Sequence, residues 1–124
     1  MVTFDIGATY EGAIADTALT CIFGLPKSSK HTLLIKSTEE CLLKGIQAID
    51  IGKRLGVIGE AISKHAKHYG FGLITNYGGH GLDWNVLHAS PFVANRSSYL
   101  NGITIQPGLV IAIEPMLVLG DQQV

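Results

Sequence analysis

The chain has 124 residues, 47% hydrophobic and 15% charged, with a formal net charge of −1 and a pI near 6.5. That length suits one domain with a modest core, and that composition excludes a disordered chain. The near-neutral balance offers no basic field for nucleic acid or an anionic membrane, and no apolar run reaches membrane-spanning length.

In chain order, residues 2–7 and 13–23 read as a β-hairpin turning at Tyr10-Glu11-Gly12, with Gly12 supplying a positive φ. "GLPKSS" (24–29) is a loop in which Ser28 or Ser29 caps a following helix. Apolar or small residues at 33, 37, 41, 45, 48 and 49 give helical spacing over residues 30–49. "DIGKRLG" breaks that pattern. Leu55, Ile58, Ile62, Ala66 and Tyr69 then mark a second amphipathic helix closed by Gly70. A Gly-rich segment, "FGLITNYGGHGLDWNVLH", and a loop, "SPFVANRSS", follow. Two strands come last, "ITIQ" and "LVIAIEPMLVL", divided by Pro107-Gly108. The expected class is α+β: an antiparallel sheet with helices on one face.

Cys21 and Cys41 form no CxxC pair and read as free thiols of a reducing compartment. The start has no basic segment leading into an apolar one, so the expected location is the cytoplasm. There the formal glycosylation triplet Asn95-Arg96-Ser97 is a chance match. Strand-like residues begin directly after Met1, and "LVLGDQQV" stops just after another strand. The expectation is one partial domain, residues 1–124, incomplete at both ends.

The hairpin raises a chemical question. With its turn centred between Tyr10 and Glu11, Asp5 faces Asp16 directly, while Val2, Phe4 and Ile6 lie on the other face. Opposed side chains have Cβ atoms roughly 4.5–5.5 Å apart, and two like charges there are destabilising. Neither strand offers a Lys or Arg beside them. Either one acid holds a proton or a cation bridges the pair. Two solvated surface acids are the ordinary alternative, and the small or apolar neighbours Gly7, Ile14 and Ala18 weigh against it.

Two further residues fit the cation. His80 stands between Gly79 and Gly81, where glycines permit close backbone approach. Alone, "GHG" is an ordinary turn. Glu114 interrupts the apolar run Val110–Leu117 and is costly there if buried without a partner. Alone, it is an outward-facing strand residue. Two Asp, one His and one Glu together make an oxygen-rich ligand set suited to Mn, Fe, Co or Zn. Paired carboxylates of this kind serve two-metal hydrolytic sites.

The stretches "DIGATYEGAIADTALT" (5–20), "YGGHG" (77–81) and "QPGLVIAIEPML" (106–117) resemble, in order and spacing, the methionine aminopeptidases of the pita-bread M24 metallopeptidase family. The resemblance spans nearly the whole chain. It implies a pita-bread fold and two divalent ions, of Co, Mn, Fe or Zn. Asp5 would chelate one ion, Asp16 would bridge both, and His80 and Glu114 would bind the other. It also implies hydrolysis by a metal-bridging water or hydroxide, with Glu114 assisting proton transfer and His88 stabilising the tetrahedral intermediate. The implied substrate is the N-terminal methionine of a peptide or nascent chain, which brings the enzyme near the ribosome. Other activities within the same resemblance are a prolidase-like Xaa-Pro peptidase and a binding module without catalysis. The family's fifth ligand, a glutamate on a later strand, and a substrate-contacting histidine before the first strand have no counterpart in these residues. The resemblance therefore implies weak activity, or none, for the 124 residues alone.

Overall fold

The computed structural model describes residues 1–120; residues 121–124, the end of the "LVLGDQQV" stretch, lie outside the described residues. Strand β1 (Val2–Tyr10) and strand β2 (Ala13–Cys21) form the first hairpin. Helix α1 (Ser29–Gln47) and helix α2 (Gly56–Tyr69) follow. The remaining strands are β3 (Gly72–Leu73), β4 (Gly78–Asp83), β5 (Val86–Ala94) and β6 (Leu117–Val118). The class is α+β. Among the described residues the strands pair in three antiparallel two-stranded ladders, β1–β2, β3–β6 and β4–β5, rather than one continuous sheet.

The first hairpin corrects the expected register. Tyr10 pairs with Ala13 across a two-residue loop, with φ of 47° at Glu11 and 90° at Gly12. Positive φ at both loop residues is the geometry whose twist matches paired strands. Every partner therefore moves two residues from the expected register: Asp5 pairs with Ala18, and Gly7 with Asp16. A shift of two preserves facing, because side chains alternate with period two. Asp5 and Asp16 thus share a face, as diagonal rather than direct neighbours. On the opposite face Phe4 pairs with Leu19, and both remain exposed.

The helices form as their spacing predicts. Ser28 caps α1, its side-chain oxygen accepting from the Lys30 N–H at 3.2 Å. Leu34, Ser37, Cys41 and Gly45 make the buried stripe; Leu33 and Ile49, expected inside, are exposed. Gly70 ends α2 in the left-handed conformation with φ of 69°. Cys41, Ile58, Ile62, Ala66, Leu73 and Val93 build a core between α1, α2, β3 and β5. On the helix surface, Glu40 of α1 accepts from the Tyr69 hydroxyl at 2.6 Å and meets His65 Nε2 at 3.0 Å, tying the two helices together.

The second half departs from the expected strands. "SPFVANRSS" is a loop only in its second half: β5 runs through Pro91 to Ala94 and pairs with the Gly-rich β4, and residues 95–98 lie outside any strand. Conversely, "ITIQ" makes only an isolated bridge, Thr104 to Arg54, flanked by backbone bonds from Leu55 N–H to Ile103 O, Ile105 N–H to Lys53 O and Gly52 N–H to Ile105 O. Residues 110–112 lie beside β4 through Leu82 N–H to Val110 O at 3.0 Å and Ala112 N–H to His80 O at 2.8 Å. Pro115 cannot donate to a ladder, and the chain enters strand again only at Leu117.

Candidate metal centre

β4 is the middle element of this region, held by β5 on one edge and by residues 110–112 on the other. Its glycines explain how. A Cβ on Gly79 would lie 2.0 Å from Ala112 O, and one on Gly81 would lie 2.1 Å from Ser90 O. Neither residue has a positive φ. The glycines around His80 thus serve the close approach of neighbouring backbone, not an unusual turn. They clamp the His80 backbone from both edges and leave one side chain, the imidazole, free to project. Ahead of this strand, the Asn95 amide donates to Tyr77 O at 3.3 Å and Ile74 O at 3.4 Å, fixing the approach to Gly78. Asn95 is 1% exposed.

The bridge between Gly81 and Ile111 sets the register of the third segment. Continued one residue, it places Ala112 beside His80, as the 2.8 Å bond confirms. Glu114, two residues on, turns its carboxylate to the His80 face of β4. From the first hairpin, β2 brings Asp16 to that face. His80 Nε2 lies 3.2 Å from Asp16 Oδ2 and 3.1 Å from Glu114 Oε1. Ligand atoms of all three residues lie within 4.8 Å of one another. The side chains are 12%, 11% and 25% exposed for His80, Asp16 and Glu114.

The other ring nitrogen decides the chemistry of this cluster. His80 Nδ1 lies 3.0 Å from Gly81 O, and a carbonyl only accepts, so Nδ1 carries the proton. In the neutral ring Nε2 is then a lone pair facing two carboxylates. Three electron-pair donors thus converge on one point. A cation, whether a proton on Nε2 or a metal ion, resolves the repulsion. An imidazole whose far N–H is held by a backbone carbonyl is the usual support for a metal-ligating histidine. The donor set of one imidazole and two carboxylates fits a divalent ion of the Mn, Fe, Co or Zn type. Burial pushes the Glu114 carboxyl up from its ordinary range; Asp16 and Asp5 add to the rise, while His80 and His88 oppose it. Such a crowd of acids favours a bound cation.

Asp5 and His88 stand at the margin. Asp5 is exposed and outside the close group, though its charge is felt at Glu114. His88, on β5, is exposed, and its ring centre is 4.4 Å from that of His80 with the planes at 60°. Of the five residues singled out from sequence, three converge and two flank them.

Residues 1–123 match metallopeptidase family M24. The chain belongs to that family. It is similar to the methionine aminopeptidase of Mycoplasma capricolum, 38% identical over 120 residues, covering 97% of this chain and 47% of that protein. Among solved structures it is similar to methionine aminopeptidase from Thermotoga maritima, with a TM-score of 0.87 and 35% identity over 93% of this chain and 45% of that one. Prolidase from Pyrococcus furiosus shares the fold, with a TM-score of 0.77 and 22% identity over 98% of this chain and 34% of that one. The α+β arrangement is thus the pita-bread fold common to these peptidases. The M24 chain spans about half the length of the curated relatives it matches. Family membership implies divalent metal, and Asp16, His80 and Glu114 are the residues here whose donors fit it.

The contact between the two hairpin tips was not legible in the sequence. Trp84 and Asn85, in the β4–β5 turn, meet Gly12 in the β1–β2 turn. The only written signals were a tryptophan in a polar turn and a glycine that serves any hairpin.

Proposed function

We propose that this chain supplies the ligand-bearing part of a metal-dependent aminopeptidase that releases N-terminal methionine from peptides and nascent chains in the cytoplasm. The observation that carries the reading is the convergence of Asp16 and Glu114 on His80 Nε2, the ring nitrogen turned away from the Gly81 carbonyl. The 38% identity to a methionine aminopeptidase favours this specificity over the prolidase type.

In this reading two divalent ions, of Mn, Co, Fe or Zn, would be held: one by Asp5 and Asp16, the other by Asp16, His80 and Glu114. When bound, they acidify a water, polarise the scissile carbonyl and anchor the free amino group. The chain's own residues do the rest. Asp16 joins the two halves of the site. Glu114 moves a proton from the attacking water toward the leaving amine. His88, beside His80, donates to the carbonyl oxygen as negative charge develops there. The Gly81 carbonyl keeps the His80 ring from rotating.

The test is release of methionine from a Met-Ala-Ser peptide by the full-length protein, supplied in turn with Mn, Co, Fe and Zn. The expected result is turnover with at least one metal and a much slower reaction on an Xaa-Pro peptide. No turnover with any of the four, together with no metal binding by calorimetry, overturns the reading.

A further inference from the structure

We propose that Trp84 is a positioning residue for the metal centre: its indole, seated on Gly12, braces the Asp16 hairpin against the His80 hairpin. The inference rests on the metal-site reading above. Asp16 and His80 come from different hairpins, so no ladder between strands fixes their 3.2 Å separation. Something else must hold the hairpins in register.

The tips provide it. Gly12 is buried, although its neighbours Tyr10, Glu11 and Ala13 at the hairpin end are exposed. What covers it is Trp84: a Cβ on Gly12 would lie 2.3 Å from the indole Nε1 and 2.4 Å from Cε2. The ring therefore rests directly on the backbone of the turn. Beside it, Asn85 takes φ of 59° and donates its N–H to Gly12 O at 2.8 Å. Asp83 Oδ1 accepts from the Trp84 N–H at 2.7 Å, holding the turn that presents the ring. A second contact lies level with the ligand on the first hairpin, where Leu87 packs within 3.2 Å of where a Cβ on Gly7, the cross-strand partner of Asp16, would sit.

The spacing makes these contacts relevant to the ligands. Gly12 and Asp16 are four residues apart on one hairpin, and Trp84 and His80 four apart on the other. At about 3.3 Å per residue, each arm is roughly 13 Å long at most. The hairpins are thus joined at the tips by Trp84 and at the other end of equal arms by the ligand pair. Releasing the tips lets the arms splay where no backbone bond resists.

The test compares Trp84→Ala and Trp84→Phe with the wild type in the full-length protein. Co(II) is the probe, titrated with visible absorption as the readout, and hydrogen exchange at the Asn85 amide follows the tip. Trp84→Ala is expected to weaken Co(II) binding by about 10- to 100-fold, the usual cost of losing support around a ligand. It should also alter the Co(II) band and speed exchange at Asn85. Trp84→Phe should restore most of the affinity. Ile62→Val, in the helical core, controls for stability and should leave Co(II) affinity unchanged. Wild-type affinity in Trp84→Ala overturns the brace and leaves the metal site standing. An equal loss in Ile62→Val overturns it too, since the effect is then one of general stability. No Co(II) binding by the wild type overturns the metal reading, and the brace with it.

Discussion

His80 Nε2 lies 3.2 Å from Asp16 Oδ2 although the two residues belong to hairpins that share no ladder. This contact joins the first half of the fold to the second at the point where the acids crowd. Removing Asp16 should therefore do more than delete one carboxylate. Asp16→Ala is expected to lower the metal stoichiometry of the full-length protein by at least one ion, as measured by equilibrium dialysis. Unchanged stoichiometry would rule out a ligand role for Asp16.

If Asp16, His80 and Glu114 hold a metal ion as proposed, metal should stabilise the fold, because Asp16 and His80 meet only when both hairpins are in place. A ligand bound only by the folded state at about 100 times its Kd adds about 2.7 kcal/mol. Adding a chelator to the metal-loaded protein is expected to lower the thermal midpoint, and Mn(II) to restore it. A midpoint indifferent to both treatments counts against metal binding by the folded chain.

Gly79 packs against the neighbouring backbone. The 2.0 Å that a Cβ would have to Ala112 O leaves nothing flexible to yield. Gly79→Ala should push residues 110–114 away from β4 and carry Glu114 out of the cluster. Overpacking of this kind costs typically about 1–3 kcal/mol. Chemical denaturation should show that loss, and the same variant should bind Mn(II) more weakly. Wild-type values for both would mean that the segment is not held as described.

The clamp between the helices predicts a pH dependence. Hydrogen bonds from Tyr69 and then His65 hold the Glu40 carboxyl below its ordinary value of 4.5. A depressed carboxyl contributes stability that is present above the unfolded value and lost as pH falls through the folded one. The same bond raises the Tyr69 hydroxyl above its ordinary value of 10.0, so that contribution is lost as pH rises beyond it. Stability from the clamp should thus fade below about 4.5 and above about 10. Glu40→Gln should flatten the acid side of the profile measured by urea unfolding. An unchanged acid slope would show that the clamp contributes nothing there.

The two cysteines should differ in reactivity. Burial, and then the charge of Glu40, push the Cys41 thiol up to about 11, and its side chain is fully covered. At pH 8 only about one thiol in a thousand is then ionised, and access is blocked as well. Cys21 is half-buried at the end of β2. A thiol reagent applied to the folded protein should label Cys21 first, with Cys41 reacting only on unfolding. Equal rates would contradict the burial of α1 against α2.

Where local chemistry decided structure, the sequence could be read. Ser28 and Gly70 bound their helices through backbone groups that need a cap, and the α2 stripe follows from 3.6-residue spacing. His80 and Glu114 stood out because each is costly or unexplained in its own surroundings. The register of Asp5 and Asp16 was not readable, because it depends on which two residues take positive φ. Glu11, a residue that rarely does so, is one of them. Strand β5 was hidden by Pro91 and by a partner whose glycines suppress strand propensity. Only the third dimension explains those glycines, through the carbonyls of Ala112 and Ser90.

The central claim is that His80 Nε2 faces a divalent ion held with Asp16 and Glu114. Calorimetric titration of Mn(II) into the metal-free full-length protein and into its His80→Ala variant tests it most directly. Saturable binding by the wild type, with the tightest site lost in His80→Ala, is the predicted result. Identical titrations for the two proteins, or no heat from the wild type, would contradict the account.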